Sequence, residues 1–308
     1  MPTHTIALLA PGGMGSKIAA RLSSCGGGTV LTNLEGRSAA TVQRAKEAGM
    51  EHASYAEIAA RATCVLSVVP PKDAFAVAEA LAGACKAAGP ERALTFVDCN
   101  AVNPDSVKRM AALFEGTAVH FIDGAIVGAP PSDTYNPGIY VSSDGKDAGA
   151  LDEFVSMAKG FGLNVFPLKG ADAGVGDASA LKMAHAGIVK GATGLFVTMI
   201  LAAHSTSPST AEGLLHALNL SQPAFVDLII RMIPQMIPKA YRFIKEMDEI
   251  VGFVGAEEGK TFEGLEKVFG RVATAHEGAG PDIAVLMNFV EQARETWDAT
   301  TSTVLYRN

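Results

Sequence analysis

The chain has 308 residues, 48% of them apolar and only 6% aromatic, with a formal net charge of −7. That length builds two domains with a sizeable core, while an acidic balance with few aromatics excludes a nucleic-acid surface, which needs clustered Lys and Arg. Cys25, Cys64, Cys85 and Cys99 lie scattered with no His cluster beside them, a pattern that fits buried free thiols in a reducing compartment better than a metal centre or a disulfide framework.

Only about five apolar residues precede Pro11, with no basic leader, so no signal peptide is expected and the location expected is cytoplasmic. Residues 6–22 read IALLAPGGMGSKIAARL: an apolar run, a small-residue turn and a helix at once. From there to about Pro167, short β-rich runs alternate with helical patterns. The strand candidates are TIALLA, TVLTN, CVLSVVP, LTFVDCN, VHFIDGAIV, GIYVSS and NVFPL. Helical patterns cover 38–48, 73–88, 104–114 and 148–161 between them. Apolar strands separated by helices indicate βαβ units and a parallel sheet covered on both faces.

Past KGADAGVGDAS the strand signals stop, and long helical patterns occupy 177–204, 209–218, 223–250, 260–276 and 281–305. The expected fold is therefore α/β: a Rossmann domain with a parallel sheet over 1–170, then an all-α domain over 171–308. The first long helix is apolar on most of its surface and carries Ala184, Ala186, Gly187, Gly191 and Gly194. It is expected to be buried all round, against other helices or a second subunit, and not to span a membrane. Lys190 on that helix is expected at its surface, the alternative being a role in binding an anionic substrate group.

The turn after the first strand has the spacing of a dinucleotide loop. Its three small positions are Ala10, Gly12 and Gly15: the first allows a tight turn, the second admits the pyrophosphate to the backbone, and the third lets helix pack on strand. Only the first has lost its glycine. Pro11, Gly13 and Met14 complete the loop, Met14 and Ile18 supply the inward helix face, and the helix N-terminus offers N–H groups to phosphate. After the second strand comes LEGRS, where an acidic residue would hold a ribose 2′-OH and an arginine a 2′-phosphate. Glu35 stands at the expected distance, followed by Arg37 and Ser38, which would make a phosphate clasp at the start of the next helix; the alternative is that Ser38 only caps that helix and Arg37 is solvated. The cofactor expected is NADP, with NAD as the alternative.

The motifs GGMGSKIAARL, VLSVVPP, FVDCNAVNP, IDGAIVGAPP and GDASALKMAH occur in the order found in the β-hydroxyacid dehydrogenases. The chain resembles that superfamily, which includes 3-hydroxyisobutyrate dehydrogenase, 6-phosphogluconate dehydrogenase and the imine reductases. Its YRFIKEMDEI stretch is similar to a C-terminal helical domain without an assigned function. The resemblance implies that Val68, Val69 and Pro70 border the nicotinamide and that Asn100, at the motif's hydroxyl position, touches substrate or cofactor. An alternative role for Asn100 is to tie a strand end to the next helix cap. Val127-Gly128-Ala129 stands where the family has a carboxylate-binding Ser-Gly-Gly, and the missing serine weakens that recognition. Pro130 and Pro131 are expected at the pocket rim, with Gly174 and Gly176 loosening the domain join.

Lys182 resembles the family's catalytic lysine. Oxidising an alcohol needs a base to take the hydroxyl proton while hydride leaves carbon, and a lysine serves when its surroundings lower its pKa. Lys182 sits among Ala180, Leu181, Met183 and Ala184 beside the expected domain junction. The family's Asn one turn later is Ala186 here; His185 is the candidate replacement, about 100° around the helix. The function these readings imply is an NADP-dependent oxidoreductase acting on small 3-hydroxy acids or β-hydroxy amino acids, as a homodimer with interlocked helical domains. Imine reduction on the same fold, suggested by DGAIVGAPP, is the rival, and a non-catalytic NADP sensor is the second. No metal is expected.

Overall fold

The computed structural model describes residues 4–89, 91–278 and 280–305, the side chains only as far as Thr296. The chain divides into two compact units, Met1–Met183 and Ala184–Asn308.

In the first unit the elements follow in the order β1 (Ile6–Leu9), α1 (Gly13–Leu22), β2 (Leu31–Thr32), α2 (Ala39–Glu47), β3 (Glu51–His52), α3 (Tyr55–Arg61), β4 (Cys64–Ser67), α4 (Pro71–Ala88), β5 (Leu94–Asp98), α5 (Pro104–Ala112), β6 (Val119–Val127), β7 (Gly138–Ser142), α6 (Ala148–Gly160) and β8 (Asn164–Pro167). They form one eight-stranded sheet in the order β3-β2-β1-β4-β5-β6-β7-β8. Strands β1 to β6 are parallel, as the alternating pattern requires. β7 is antiparallel to β6, and β8 runs with β7. The sheet is thus mostly parallel, as expected; the direction changes at β7 because only ten residues separate it from β6, too few for a crossover helix.

Successive residues of β1 serve opposite faces. Ile6 and Leu8 join Ile18, Leu22, Leu66, Ile122 and Phe154 under α1 and α6. Ala7 and Leu9 join Ile58, Leu81, Phe96 and Val107 under α3, α4 and α5. Phe96, Phe114 and Phe121 stack within 4.9–5.9 Å of one another on this second face. Helix starts follow local capping chemistry. Ser38 caps α2 by accepting from Thr41 N, and Asn103 caps α5 by accepting from Ser106 N, with Pro104 as its first residue. Ser54 and Glu57 form a reciprocal capping box on α3.

β3 and α3 had no expectation in the sequence, because β3 is two exposed residues without an apolar run. Cys64, Cys85 and Cys99 are buried free thiols as expected, but Cys25 is exposed, on the turn that ends α1.

Helix α7 (Asp177–Thr206) carries the chain into the second unit, followed by α8 (Pro208–Ser221), α9 (Pro223–Met236), α10 (Ala240–Val254), α11 (Ala256–Glu277) and α12 (Pro281–Leu305). The single helix expected over 223–250 is two. A single 3-10 turn, Ile237–Lys239, separates α9 from α10, because Pro238 has no N–H to continue the ladder. Phe269, Met247, Ile233, Val290 and Leu286 form the buried centre of this unit.

Within a single chain α7 is not buried all round. One face packs, with the Cα positions of Gly187 and Gly194 close against Phe262, Leu265 and Phe269. Another leaves Ile188, Leu195 and Met199 more than half exposed. By length and composition alone this helix could cross a membrane, with a mean hydropathy of 1.7 over its most apolar window. Lys190 is not at the surface as expected: its ammonium pairs with Glu246 and lies 5.2 Å from the Phe243 ring centre, and both partners of the ion pair are largely buried.

Candidate active site

The strand order reverses at β1: the chain runs outward through β2 and β3, then crosses back to β4 on the other side. Ligands of open α/β sheets bind at the carboxyl ends of the strands beside such a switch point. Many of the residues singled out in the sequence lie at those strand ends. β1 leads into Ala10–Gly13, β4 into Val68–Pro70, β5 into Cys99–Asn100 and β6 into Val127–Gly128. β1 and β6 are three strand spacings apart, about 14 Å at ~4.8 Å each, a span suited to an extended dinucleotide.

Ala10 manages the tight turn without glycine. It is buried, and its carbonyl accepts from Gly12 N at 2.8 Å. A Cβ on Gly12 or Gly13 would meet nothing within 4 Å. A Cβ on Gly15 would lie 2.3 Å from Ala10 O and 2.8 Å from Leu8 Cδ2. The second and third small positions therefore do different work: open ground before the helix, and contact between helix and strand. Gly12 is the N-cap of α1 and brings no capping side chain, so the first-turn N–H groups, which have no intrahelical acceptor, point at that open ground. These features fit a dinucleotide pyrophosphate. Met14 is only half-buried, and Ile18 carries the inward face.

At the end of β2, Arg37 N donates to Leu34 O in a tight turn, and Glu35 N donates to Asn33 Oδ1. Glu35 is exposed and Arg37 half-buried. Burial raises the Tyr55 hydroxyl pKa, which the Arg37 charge lowers and the Glu35 charge raises, so both groups act on one side chain of α3. Arg44 was missed in the sequence. It donates to Pro11 O at 3.1 Å and to Thr41 Oγ1 at 2.9 Å, linking α2 to the glycine loop. Ser38, Thr41 and Arg44 follow one another at helical spacing, the one signal that could have shown it.

Asn100 is buried and its carboxamide is committed within the protein. Its Oδ1 accepts from Val69 N at 2.7 Å, and its Nδ2 donates to Ser67 Oγ at 3.0 Å and Asp98 Oδ1 at 2.5 Å. It thus ties the end of β4, beside Val69, to the end of β5. Val68 N bonds Leu9 O, which joins β1 to the same arrangement. Burial, with the Asp123 carboxyl beside it, pushes Asp98 up to about 8.

At the end of β6, Lys182 Nζ donates to Ile126 O, one residue before Val127. Its charge reaches Cys99 at the end of β5, lowering a thiol pKa that burial pushes far up. Gly128 turns the chain away at φ +124°, and a Cβ there would fall 1.9 Å from the Tyr135 hydroxyl. Only glycine suits that position. Tyr135, also missed in the sequence, therefore overhangs this turn. Pro130 is exposed and Pro131 buried. His185 is exposed and belongs to the second unit. The backbone N–H groups of Gly174 and Gly176 are both hydrogen-bonded. Gly174 N donates to Asp177 Oδ2 at 3.0 Å, and Gly176 N donates to Asp123 Oδ2 at 3.0 Å. Among the described residues, no three His, Cys, Asp or Glu side chains group as for a metal ion.

Residues 5–162 match the family described as the NAD binding domain of 6-phosphogluconate dehydrogenase, and residues 206–272 match a domain of unknown function. Among curated proteins none matches the chain. Several solved structures share the whole fold. The conserved protein MTH1747, itself of unknown function and described as similar to 3-hydroxyacid dehydrogenases, is 25% identical with a TM-score of 0.69 over 92% of this chain and 98% of that one. The 3-hydroxyisobutyrate dehydrogenase of Mycobacterium tuberculosis, solved with L-serine, is 16% identical with a TM-score of 0.64 over 92% and 98%. A reductive aminase from Aspergillus terreus, solved with NADPH and ethyl levulinate, is 16% identical with a TM-score of 0.52 over 93% and 99%.

Proposed function

Since the chain belongs to the family of 6-phosphogluconate dehydrogenase NAD-binding domains, we propose that it is an NADP-dependent oxidoreductase of small 3-hydroxy acids or β-hydroxy amino acids, with Lys182 as general acid and base. The observation that carries this reading is the bond from Lys182 Nζ to Ile126 O. It holds a titratable amine at the end of β6, on the same edge of the sheet as the glycine loop. A bound nicotinamide dinucleotide would supply or accept the hydride. Gly12, Gly13 and the first turn of α1 would hold its pyrophosphate, with Ala10, Pro11, Met14 and Gly15 shaping the loop. Arg37, Ser38 and Arg44 would meet a 2′-phosphate, and Glu35 would meet the ribose hydroxyl when that phosphate is absent.

Val68, Val69 and Pro70 would border the nicotinamide. Asn100 serves by holding Val69 in place, with its amide turned to Ser67 and Asp98. Val127 and Gly128 would line the substrate. In reduction Lys182 gives its proton to the substrate oxygen, and in oxidation it takes the hydroxyl proton; its partly buried surroundings exclude competing water. The Ile188, Leu195 and Met199 face of α7 suits coverage by a second copy in a homodimer. A reducing, cytoplasmic location accords with the free thiols.

A second reading is kept for one reason. Val127 and Ala186 stand where a carboxylate-binding serine and an asparagine would be expected, which favours a substrate without a carboxylate, such as an imine. Initial rates with NADP⁺ and a panel of 3-hydroxy acids, against NADPH and a panel of imines, separate the two. Oxidation of hydroxy acids that depends on Lys182 supports the first reading. Turnover of imines alone replaces it, and tight NADPH binding without turnover on either panel makes the protein a sensor.

A further inference from the structure

Helix α7 starts without a cap of its own. Its N-terminal positions are Gly174, Val175 and Gly176, and none of them carries a side-chain oxygen. The N–H groups of a first helical turn need partners when buried. Here they find them on two neighbouring strands. Asp123, in the middle of β6 and fully buried, accepts from Gly176 N at 3.0 Å and Ser179 N at 2.9 Å through Oδ2, and from Ser179 Oγ at 2.7 Å through Oδ1. Ser142 of β7, its register partner, accepts from Ala178 N at 3.1 Å and approaches Asp123 Oδ2 at 3.4 Å. A buried carboxylate is costly unless it is hydrogen-bonded. Burial raises the Asp123 pKa, and these donors, with the positive end of a long helix, oppose that rise.

The spacing gives this cap a second consequence. Ser179 precedes Lys182 by three residues on α7, and Asp123 precedes Ile126 by three on β6. One pair is joined by the carboxylate, the other by the lysine bond to Ile126 O. The helix is thus fastened to the strand at two successive points.

We propose that Asp123, acting through Ser179 and Gly176, is the positioning residue that sets Lys182 at the end of β6. The proposal rests on the reading of Lys182 as the proton-transfer group and adds the element that orients it. Asp123 touches neither substrate nor cofactor; it acts on the axis and rotation of the first turn of α7. A displacement of about 1 Å at a proton-transfer group can cost ~100-fold in rate.

The test uses Asp123→Asn, and Ser179→Ala as the milder variant that keeps both backbone donors and folds even where the first does not. Two measurements are made on the full chain. Amine labelling with trinitrobenzenesulfonate, resolved lysine by lysine by mass spectrometry, reads Lys182 against the distant Lys46 and Lys86. Steady-state kinetics reads kcat against the KM for NADPH. Lys182 labelling should change severalfold in both variants with Lys46 and Lys86 unaltered, and kcat should fall by about tenfold or more at nearly constant KM. Unchanged Lys182 labelling in folded Ser179→Ala, while Lys182→Ala abolishes turnover, overturns the positioning role and leaves the lysine reading intact. Altered labelling with turnover indifferent to Lys182→Ala supports the anchor and overturns the catalytic reading it was built on.

Discussion

Two glycines of one loop can be separated by experiment, because a methyl group added to each meets different surroundings. At Gly15 the new Cβ would sit 2.3 Å from Ala10 O and 2.8 Å from Leu8 Cδ2. Non-bonded carbon is comfortable only near 3.5 Å, so α1 must retreat from β1 by about 1 Å. Overpacking of that kind costs ~1–3 kcal/mol, or roughly 3–10 °C in Tm for a unit of this size. At Gly12 the Cβ would meet nothing within 4 Å, and the backbone at φ −71° suits alanine. Gly12→Ala should therefore melt within about 2 °C of the parent. Its methyl, however, occupies the ground where a pyrophosphate must approach the backbone, and it should weaken NADPH binding at least about tenfold, equivalent to ~1.4 kcal/mol. Thermal unfolding and fluorescence titration with NADPH read the two effects independently. Parental affinity in a folded Gly12→Ala protein would refute the placing of the pyrophosphate. A Gly15→Ala protein as stable as the parent would refute the account of helix-on-strand contact.

Three further outcomes follow from the same geometry. Lys182→Met should fold and bind NADPH as the parent does while losing ~100-fold or more in kcat; a loss confined to KM would mean that Lys182 only binds substrate. Arg37→Ala should weaken NADPH roughly tenfold, as expected for loss of a charge-assisted contact, and leave NADH nearly unchanged; equal effects on both nucleotides would remove Arg37 from the 2′-phosphate site. Asp98 holds a proton in the folded protein up to about pH 8, whereas the unfolded chain releases it near pH 4. Its contribution to stability is therefore present at low pH and lost as pH rises through that window. Asp98→Asn, which cannot titrate, should show a flatter decline of Tm between pH 5 and pH 8, and parallel profiles for the two proteins would contradict the buried neutral acid.

Much of the fold is written locally. The alternation of Ile6 and Leu8 with Ala7 and Leu9, the proline and asparagine that open α5, and the serine that caps α2 all act within a few residues, so periodicity and capping rules reach them. The same holds for the glycine loop, whose spacing alone distinguishes the open Gly12 from the enclosed Gly15. Where local signals were thin, expectation failed. Two exposed residues do not look like β3, and the apolar surface of α7 does not reveal which face will meet Phe262 and Leu265.

Residue types alone thus determined the βαβ series, the place of the dinucleotide loop and the helical character of the second half. What only the tertiary structure decided is which distant groups meet. Arg44 reaches the loop carbonyl of Pro11, Asn100 turns inward to bind Val69 and Ser67, and Asp123 caps a helix that begins some fifty residues later. Those meetings depend on strand order and register: a one-residue slip of β6 would carry Asp123 to the opposite face of the sheet, and the pattern of side chains along β6 does not state which neighbour it will face.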